Sequence, residues 1–326
     1  MTRRILFISK GDDSASTRYR ALQFLPQLRQ AGYAADHATA AGSATSYLRA
    51  LHLAAAADIV VVLRKTFPTP LLWLLRRSSR KLIFDFDDAI FCNSDGTPSA
   101  TRMSRFGAMA GACDHLFAGN RFLADTAARY NRAVTTVPTC IDIARYASDY
   151  PKPKDSFDLV WIGSRSTRKY LIEALPTLRL AATRIPQLRL KIIADFDLSD
   201  AGLPTLAIPW SVESEARELG SAHIGIAPMR DDDWSRGKCA LKVLQYMAAG
   251  LPVVSSNAGA NAEIVLQEKT GYLVGDDESW AARITQLAAD AVLRERLGAA
   301  GRRRAGADYS LEPGFARMAG VFDALS

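Results

Sequence analysis

Short apolar runs recur along this chain, and segments of helical period separate them. In the first half the runs are RILFIS, DIVVVL, KLIFDF, DHLFAG and AVTTVP. Between them lie the loop KGDDSAST, the helical stretch RYRALQFLPQLRQAG with its glycine stop, and NRFLADTAARYN with Asn120 placed to cap it. The polar stretch ARYASDYPKPKDS, residues 144–156, carries two prolines and reads as a linker. The alternation then restarts with FDLVWIGS, a helix from about Arg168, LRLKIIAD, TLAIPW, a helix through ESEARELG, HIGIAPM, LPVVSS and TGYLV. Two helical stretches close the chain, the last opening at Ser310. Apolar strands alternating with helices predict parallel, doubly wound sheets. The expected fold is α/β, with two Rossmann-like domains at residues 1–150 and 151–309 facing across a cleft. A final helix at 310–326 is expected to pack back towards the first domain.

One helical stretch is unusual. GKCALKVLQYMAAGLPVV places Lys238, Lys242 and Gln245 at i, i+4 and i+7, one face of a helix, with Ala240, Val243, Leu244 and Met247 opposite. Gly250 is a natural residue to end it, and Pro252 opens the next strand. The cationic and amide stripe is either a solvated face or faces a ligand.

Composition narrows the field. The 326 residues suit about two domains. The four cysteines show no metal-ligand spacing, which fits a reducing cytoplasm. The first ten residues form one short strand and no signal peptide, and no apolar run is long enough to span a bilayer. The net charge of +7 sits wholly in residues 1–150, which hold no glutamate. That excess serves either solubility or an acidic partner. No nucleic-acid-binding motif is present. FPTPLLWLLRRSSRK mixes apolar and basic residues, as a helix on an anionic membrane surface would, or as a buried helix with a basic end would.

The second half resembles glycosyltransferase family 4, the group 1 transferases of GT-B fold. LQYMAAGLPVVSSNAGANAEIVLQEKTGYLV is similar to the family's sugar-nucleotide motif, WIGSRSTRKYL to its glycine-plus-basic phosphate loop, and LRERLGAAGRRRAGADYSLE to its C-terminal helices. The resemblance covers most of residues 157–326 and implies an enzyme that moves a sugar, with retention, from a nucleoside diphosphate sugar to a glycan or lipid-linked glycan. It implies no cofactor and no metal; a cytoplasmic location rests on the cysteines, and peripheral attachment to the membrane on the FPTPLLWLLRRSSRK stretch. One departure stands out. The family carries two glutamates eight residues apart, and this chain has Gly237 and Gln245 at those positions. A catalytically inactive relative, or a GT-B sugar-nucleotide epimerase, are the competing readings.

The departing diphosphate needs neutralising charge, which lysines, arginines and helix N-terminal amides can supply. Lys238 and Lys242, the amides of Cys239, Ala240 and Leu241, and Arg165 and Lys169 from the other loop are the candidates, with Gly163 admitting close backbone approach. Gln245 would hold ribose hydroxyls. Gly259, Asn261 and Glu263 would lie near the donor sugar; for Glu263 the alternative is a charge favoured at a helix start. Trp210 either stacks on the base or packs its loop. In the first domain Gly11, Ser16, Arg18 and Arg20 are candidates for phosphate or acceptor contacts. Asp88 is the candidate catalytic base or acceptor ligand, or else a cap. Asp85 and Asp87 imitate a metal motif in DFDD, and the four histidines share no pattern.

Overall fold

The structure is a computed structural model that describes residues 2–12, 14–146, 149–198 and 200–325. Ala147 and Ser148 of the expected linker, and Asp13 of the first loop, lie outside them. The chain forms two compact units. The first comprises Met1–Cys140, Asp232–Cys239 and Leu311–Ser326; the second comprises Ile141–Asp231 and Ala240–Ser310. The division therefore falls at Cys140, ahead of the proline-bearing stretch, and a short piece of the later sequence belongs to the first unit.

The first unit holds six parallel strands: β1 (Arg4–Ser9), β2 (Ala34–Thr39), β3 (Ile59–Leu63), β4 (Lys81–Phe86), β5 (His115–Ala118) and β6 (Val134–Thr136), in the order β2-β1-β3-β4-β5-β6. The second holds β7 (Phe157–Ile162), β8 (Leu188–Ala194), β9 (Thr205–Pro209), β10 (Ile224–Ala227), β11 (Val253–Ser256) and β12 (Gly271–Val274), in the order β12-β11-β10-β7-β8-β9. Helices follow most strands, so both faces of each sheet are covered. Central strands accordingly read as largely apolar runs, and every residue of β3, β7 and β10 is buried, including Asp158 of β7, which pairs with Arg189. Alternate residues feed opposite faces. In the first sheet Leu6, Ile8, Val60 and Val62 enter one core cluster, while Ile5, Phe7, Ile59 and Val61 enter another. Leu159 and Trp161, against Val160 and Ile162, divide the same way in the second.

One local expectation changes. The stretch RYRALQFLPQLRQAG is not one helix. It breaks into Ala15–Arg20, a 3₁₀ turn at Leu22–Phe24, and Leu25–Gln30, with Pro26 inside the first turn of the last. Strand β2, AADHAT, is an edge strand with a half-exposed pattern and too few large apolar residues to stand out in the sequence. Asn120 caps its helix, accepting from the Leu123 amide at 2.9 Å. The last helix, Leu311–Ala324, buries Met318, Val321 and Phe322 in the first unit's core, with Phe322 edge-on to Phe117.

Candidate functional site

All strands of the second sheet are parallel, so every loop that follows a strand opens on one edge. The first strand, β7, is flanked by β8 on one side and by β10 on the other, which makes the β7/β10 boundary a topological switch point. In open α/β sheets such a boundary leaves a crevice at the carboxyl edge, where ligands bind. Gly163 follows β7, Trp210 follows β9, and Gly259 begins the short helix Gly259–Ile264 after β11. These three candidate donor residues therefore share one edge.

Gly163 is required by its neighbours. A Cβ there would overlap the Trp161 ring and stand 2.8 Å from Thr167 Oγ1. Arg165 Nε pairs with Asp195 Oδ2 at 3.0 Å, both side chains mostly exposed, so water screens the pair and its strength is small. Lys169 lies 5.0 Å from the Tyr170 ring centroid. Trp210 is 42% exposed, yet its indole nitrogen donates to Glu215 Oε2 at 2.7 Å. Glu215 is itself buried and takes a second bond from Tyr146 Oη at 2.5 Å. An aromatic face offered to solvent with its N–H pinned from behind is a platform for a planar ring. Sequence reasoning missed Glu215; a glutamate five residues after the tryptophan was its only trace.

Asn261 is buried, its amide donating to Ala227 O at 3.4 Å, so it ties the end of β10 to the helix Gly259–Ile264. Glu263 is exposed and is the fifth of that helix's six residues. The helix-start explanation for its charge therefore fails.

The unusual stretch is not one continuous helix. A single turn, Asp233–Arg236, ends at Gly237, and the next helix is Leu241–Ala248 with Ala240 as its N-cap at φ 52°, ψ 33°. Left-handed backbone at a residue with a Cβ costs roughly 1 kcal/mol and breaks helical continuity. Lys238 and Cys239 thus precede the helix and fall in the first unit. Lys242 stays on the helix, its ammonium 4.3 Å from the Trp161 ring centroid at the end of β7. Gln245 is 4% exposed, so it is no part of a solvated stripe. As the crossover from β10 to β11, this helix starts at the carboxyl edge, with Leu241 and Lys242 in its first turn.

At the carboxyl edge of the first sheet the charges are mutually engaged. Arg20, 2% exposed, makes a bidentate pair with Asp85 at 2.8 Å and donates to Val137 O at 2.6 Å. It is a structural arginine and no ligand contact. Burial pushes the Asp85 carboxyl up to about 6 against the pull of Arg20. Arg64, at φ 48°, reaches Asp88 Oδ2 at 2.5 Å and Asp87 Oδ1 at 3.3 Å. Lys238 Nζ donates to both oxygens of Asp88, at 2.9 and 3.1 Å, and stands 3.8 Å from the Trp234 ring centroid. Asp88 is therefore bracketed by two cations and fastens the Asp232–Cys239 segment. Asn120 donates to the carbonyls of Arg236 and Lys238, both at 3.0 Å, and completes that fastening. Cys239 is buried with its sulfur on Asp87 O, and burial pushes its thiol up. A Cβ at Gly237 would overlap that of Ala89 and come within 2.7 Å of its amide nitrogen.

Nearby, Ser9 Oγ gathers the Gly11 amide at 3.1 Å, Thr17 Oγ1 at 2.8 Å and His37 Nε2 at 2.8 Å. Gly11 has φ 148° and open space where a side chain would be. Ser16 is buried beside Ser14, and the Arg18 guanidinium lies 4.8 Å from the Tyr19 ring centroid. Among the described residues no group of three His, Cys, Asp or Glu side chains is placed to hold a metal.

Residues 156–290 match the family model of the group 1 glycosyl transferases. Spore coat protein SA of Bacillus subtilis is 41% identical over 68 residues, 20% of this chain and 18% of that protein. The chain thus spans under a fifth of that curated relative. Among solved structures, sucrose-phosphate synthase from Thermosynechococcus elongatus superposes with a TM-score of 0.75 at 17% identity, covering 99% of both chains. Anabaena HepE, solved with UDP and glucose, gives 0.73 at 14% identity over 99% of this chain and 100% of that one. The chain has the GT-B fold, and its residues 156–290 are similar to the group 1 glycosyl transferases.

Proposed function

We propose that this protein is a metal-independent, retaining glycosyltransferase of a divergent family 4 branch, which transfers a sugar from a nucleoside diphosphate donor to a glycan or lipid-linked glycan. The observation that carries the reading is the meeting, at the β7/β10 switch point, of the Gly163 loop and the start of the Leu241–Ala248 helix. Both lie within the matched residues 156–290. The helix amides and Lys242 would take the diphosphate. Arg165 and Lys169 would close on it from the other loop, and Trp210 would stack on the base. Gln245, Gly259, Asn261 and Glu263 would serve ribose and sugar. Neighbours of the same fold support the donor class, since HepE was solved with UDP and glucose.

Gly237 argues for a rebuilt site over a decayed one. Its position is closed to any side chain by Ala89. A glutamate cannot have been lost there without the local packing changing with it. The engaged state of Asp88 gives it a structural task, and its acceptor or base role rests on its place at the carboxyl edge of β4. Gly11, Ser16 and Arg18 occupy the equivalent edge after β1.

The membrane reading gains a surface. In the helix Thr69–Ser78, Leu72 and Leu75 are buried while Trp73 and Leu74 are 61% and 44% exposed. Arg76 and Arg77 lie in its last turn and Arg80 follows; Arg76 pairs with Asp114 at 3.4 Å and Arg80 with Asp58 at 2.9 Å, while Arg77 makes no ion pair among the described residues. No helix among the described residues is long and apolar enough to cross a membrane. We assign this helix as a peripheral contact with anionic lipid on the cytoplasmic side.

The test is turnover of a panel of nucleoside diphosphate sugars with lipid-linked and free glycan acceptors, with EDTA present. Release of nucleoside diphosphate with formation of a new glycoside in EDTA supports the proposal. Tight donor binding with no turnover on any acceptor would favour the inactive relative, and interconversion of donor sugars would favour the epimerase.

A further inference from the structure

The amino edge of the second sheet holds a cavity of about 740 Å³, at the opposite ends of the strands from the loops described above. That size suits a sugar phosphate or a nucleotide. Lys152 ahead of β7, His223 ahead of β10, and Arg294, Glu295, Arg302 and Arg303 of the helix Ala291–Tyr309 supply its polar wall. Leu251 and Pro252 contribute to the apolar part.

Four basic side chains thus face one carboxylate, the exposed Glu295. The cations are held by backbone oxygens and not by acids. Lys152 donates to the Gly220 and Ala222 carbonyls. Arg294 donates through Nη1 to the carbonyls of Leu287 and Ala288. Arg302 donates to the carbonyls of Ile143, Tyr146 and Ala248. A carbonyl fixes the position of a cation without cancelling its charge. Arg294 keeps Nε and Nη2 without an acceptor among the described residues, and Arg303 is exposed with no ion pair among them. The mutual crowding lowers the proton affinity of the groups. Burial and the neighbouring Arg294 and Lys191 lower the Lys152 ammonium to about 8. His223 is lowered to about 4 by burial, Lys152 and Arg294.

We propose that this cavity binds a small phosphorylated metabolite through Lys152, Arg294, Arg302 and Arg303, as a second site separate from the carboxyl edge where the donor is placed. The phosphate monoester would take the unused Arg294 donors and the Arg303 guanidinium, since planar guanidinium forks match phosphate oxygens. The organic body would lie on Leu251 and Pro252. Arg302 also holds Ala248 O, at the end of the helix that begins with Leu241, so a ligand here touches the far end of a donor-site element.

The test is calorimetric titration of the full chain at low ionic strength with glucose 6-phosphate, inorganic phosphate and glucose. The protein is compared with Arg303→Glu, Arg294→Gln and the control Arg296→Glu, an exposed arginine of the same helix outside the cavity wall. The expected result is one site for glucose 6-phosphate, weakened about tenfold or more in Arg303→Glu and Arg294→Gln. Affinity should be kept in Arg296→Glu, and glucose alone should not bind. Inorganic phosphate binding with the same variant pattern would show that the site takes the phosphate group alone. Circular dichroism would confirm the fold of each variant. No binding of either phosphorylated probe, or binding untouched by Arg303→Glu, would overturn the proposal. Binding abolished by Lys242→Ala but not by Arg303→Glu would assign the phosphate to the donor edge and overturn it equally.

Discussion

His223 shows how one ring is kept neutral. Its Nδ1 accepts the Asp158 amide at 3.0 Å, and the ring stacks on Phe157 at 4.5 Å. Protonation at Nδ1 would break the bond and place charge beside Lys152, Arg294 and Arg189, against the opposing Asp158 carboxylate. Its pKa is lowered to about 4 from 6.5, so the unfolded chain binds this proton more readily. Stability must then fall as pH drops from about 6.5 towards 4, by up to about 3 kcal/mol from this group. His223→Asn keeps an acceptor and removes the proton site. Urea unfolding across that range should show a shallower loss in the variant, and equal slopes would remove His223 as the cause.

Elements tell a second story through their glycines. Gly237 ends one helical turn against Ala89, whereas Gly306 sits inside a long helix with open space at its Cβ position. Gly237→Ala should destabilise by about 1–3 kcal/mol through overpacking. Gly306→Ala should stabilise by roughly 0.5–1 kcal/mol through helix propensity. Chemical denaturation of the two variants checks both signs, and a neutral Gly237→Ala would dismiss the closed-site explanation of the missing glutamate. The Thr69–Ser78 helix carries its own expectation. Co-sedimentation with vesicles rich in anionic lipid should fall on Trp73→Ser and on Arg76→Ala with Arg77→Ala, while neutral vesicles should bind weakly. Equal partition of all variants would exclude this helix.

At the scale of the whole molecule, the fold was legible because parallel strands buried on both faces leave unbroken apolar runs. β3, IVVVL, and β10, IGIA, announce themselves in that way. Edge strand β2 does not, because AADHAT has no run to see. The candidate site was legible where position follows from topology: residues just after β7, β9 and β11 reach one edge whatever their side chains do. It was not legible at Lys238. Helical spacing placed Lys238 beside Lys242, but Gly237 and the left-handed Ala240 interrupt the helix, and Asp88 holds the lysine in the first unit. Periodicity carries no record of a partner 150 residues away in sequence. Arg20 was misleading for the same reason, since its bidentate partner Asp85 comes from another strand.

The central claim is that the start of the Leu241–Ala248 helix binds the diphosphate of a nucleotide sugar without metal. Calorimetric titration with UDP, GDP and ADP in EDTA, on the wild-type protein and on Lys242→Ala, tests it most directly. One site is expected for at least one of these nucleotides, with Lys242→Ala weaker by about 1.5–3 kcal/mol, the range for bonds to charged groups. Failure of all three nucleotides to bind the folded wild-type protein, or affinity unchanged by Lys242→Ala, would contradict it.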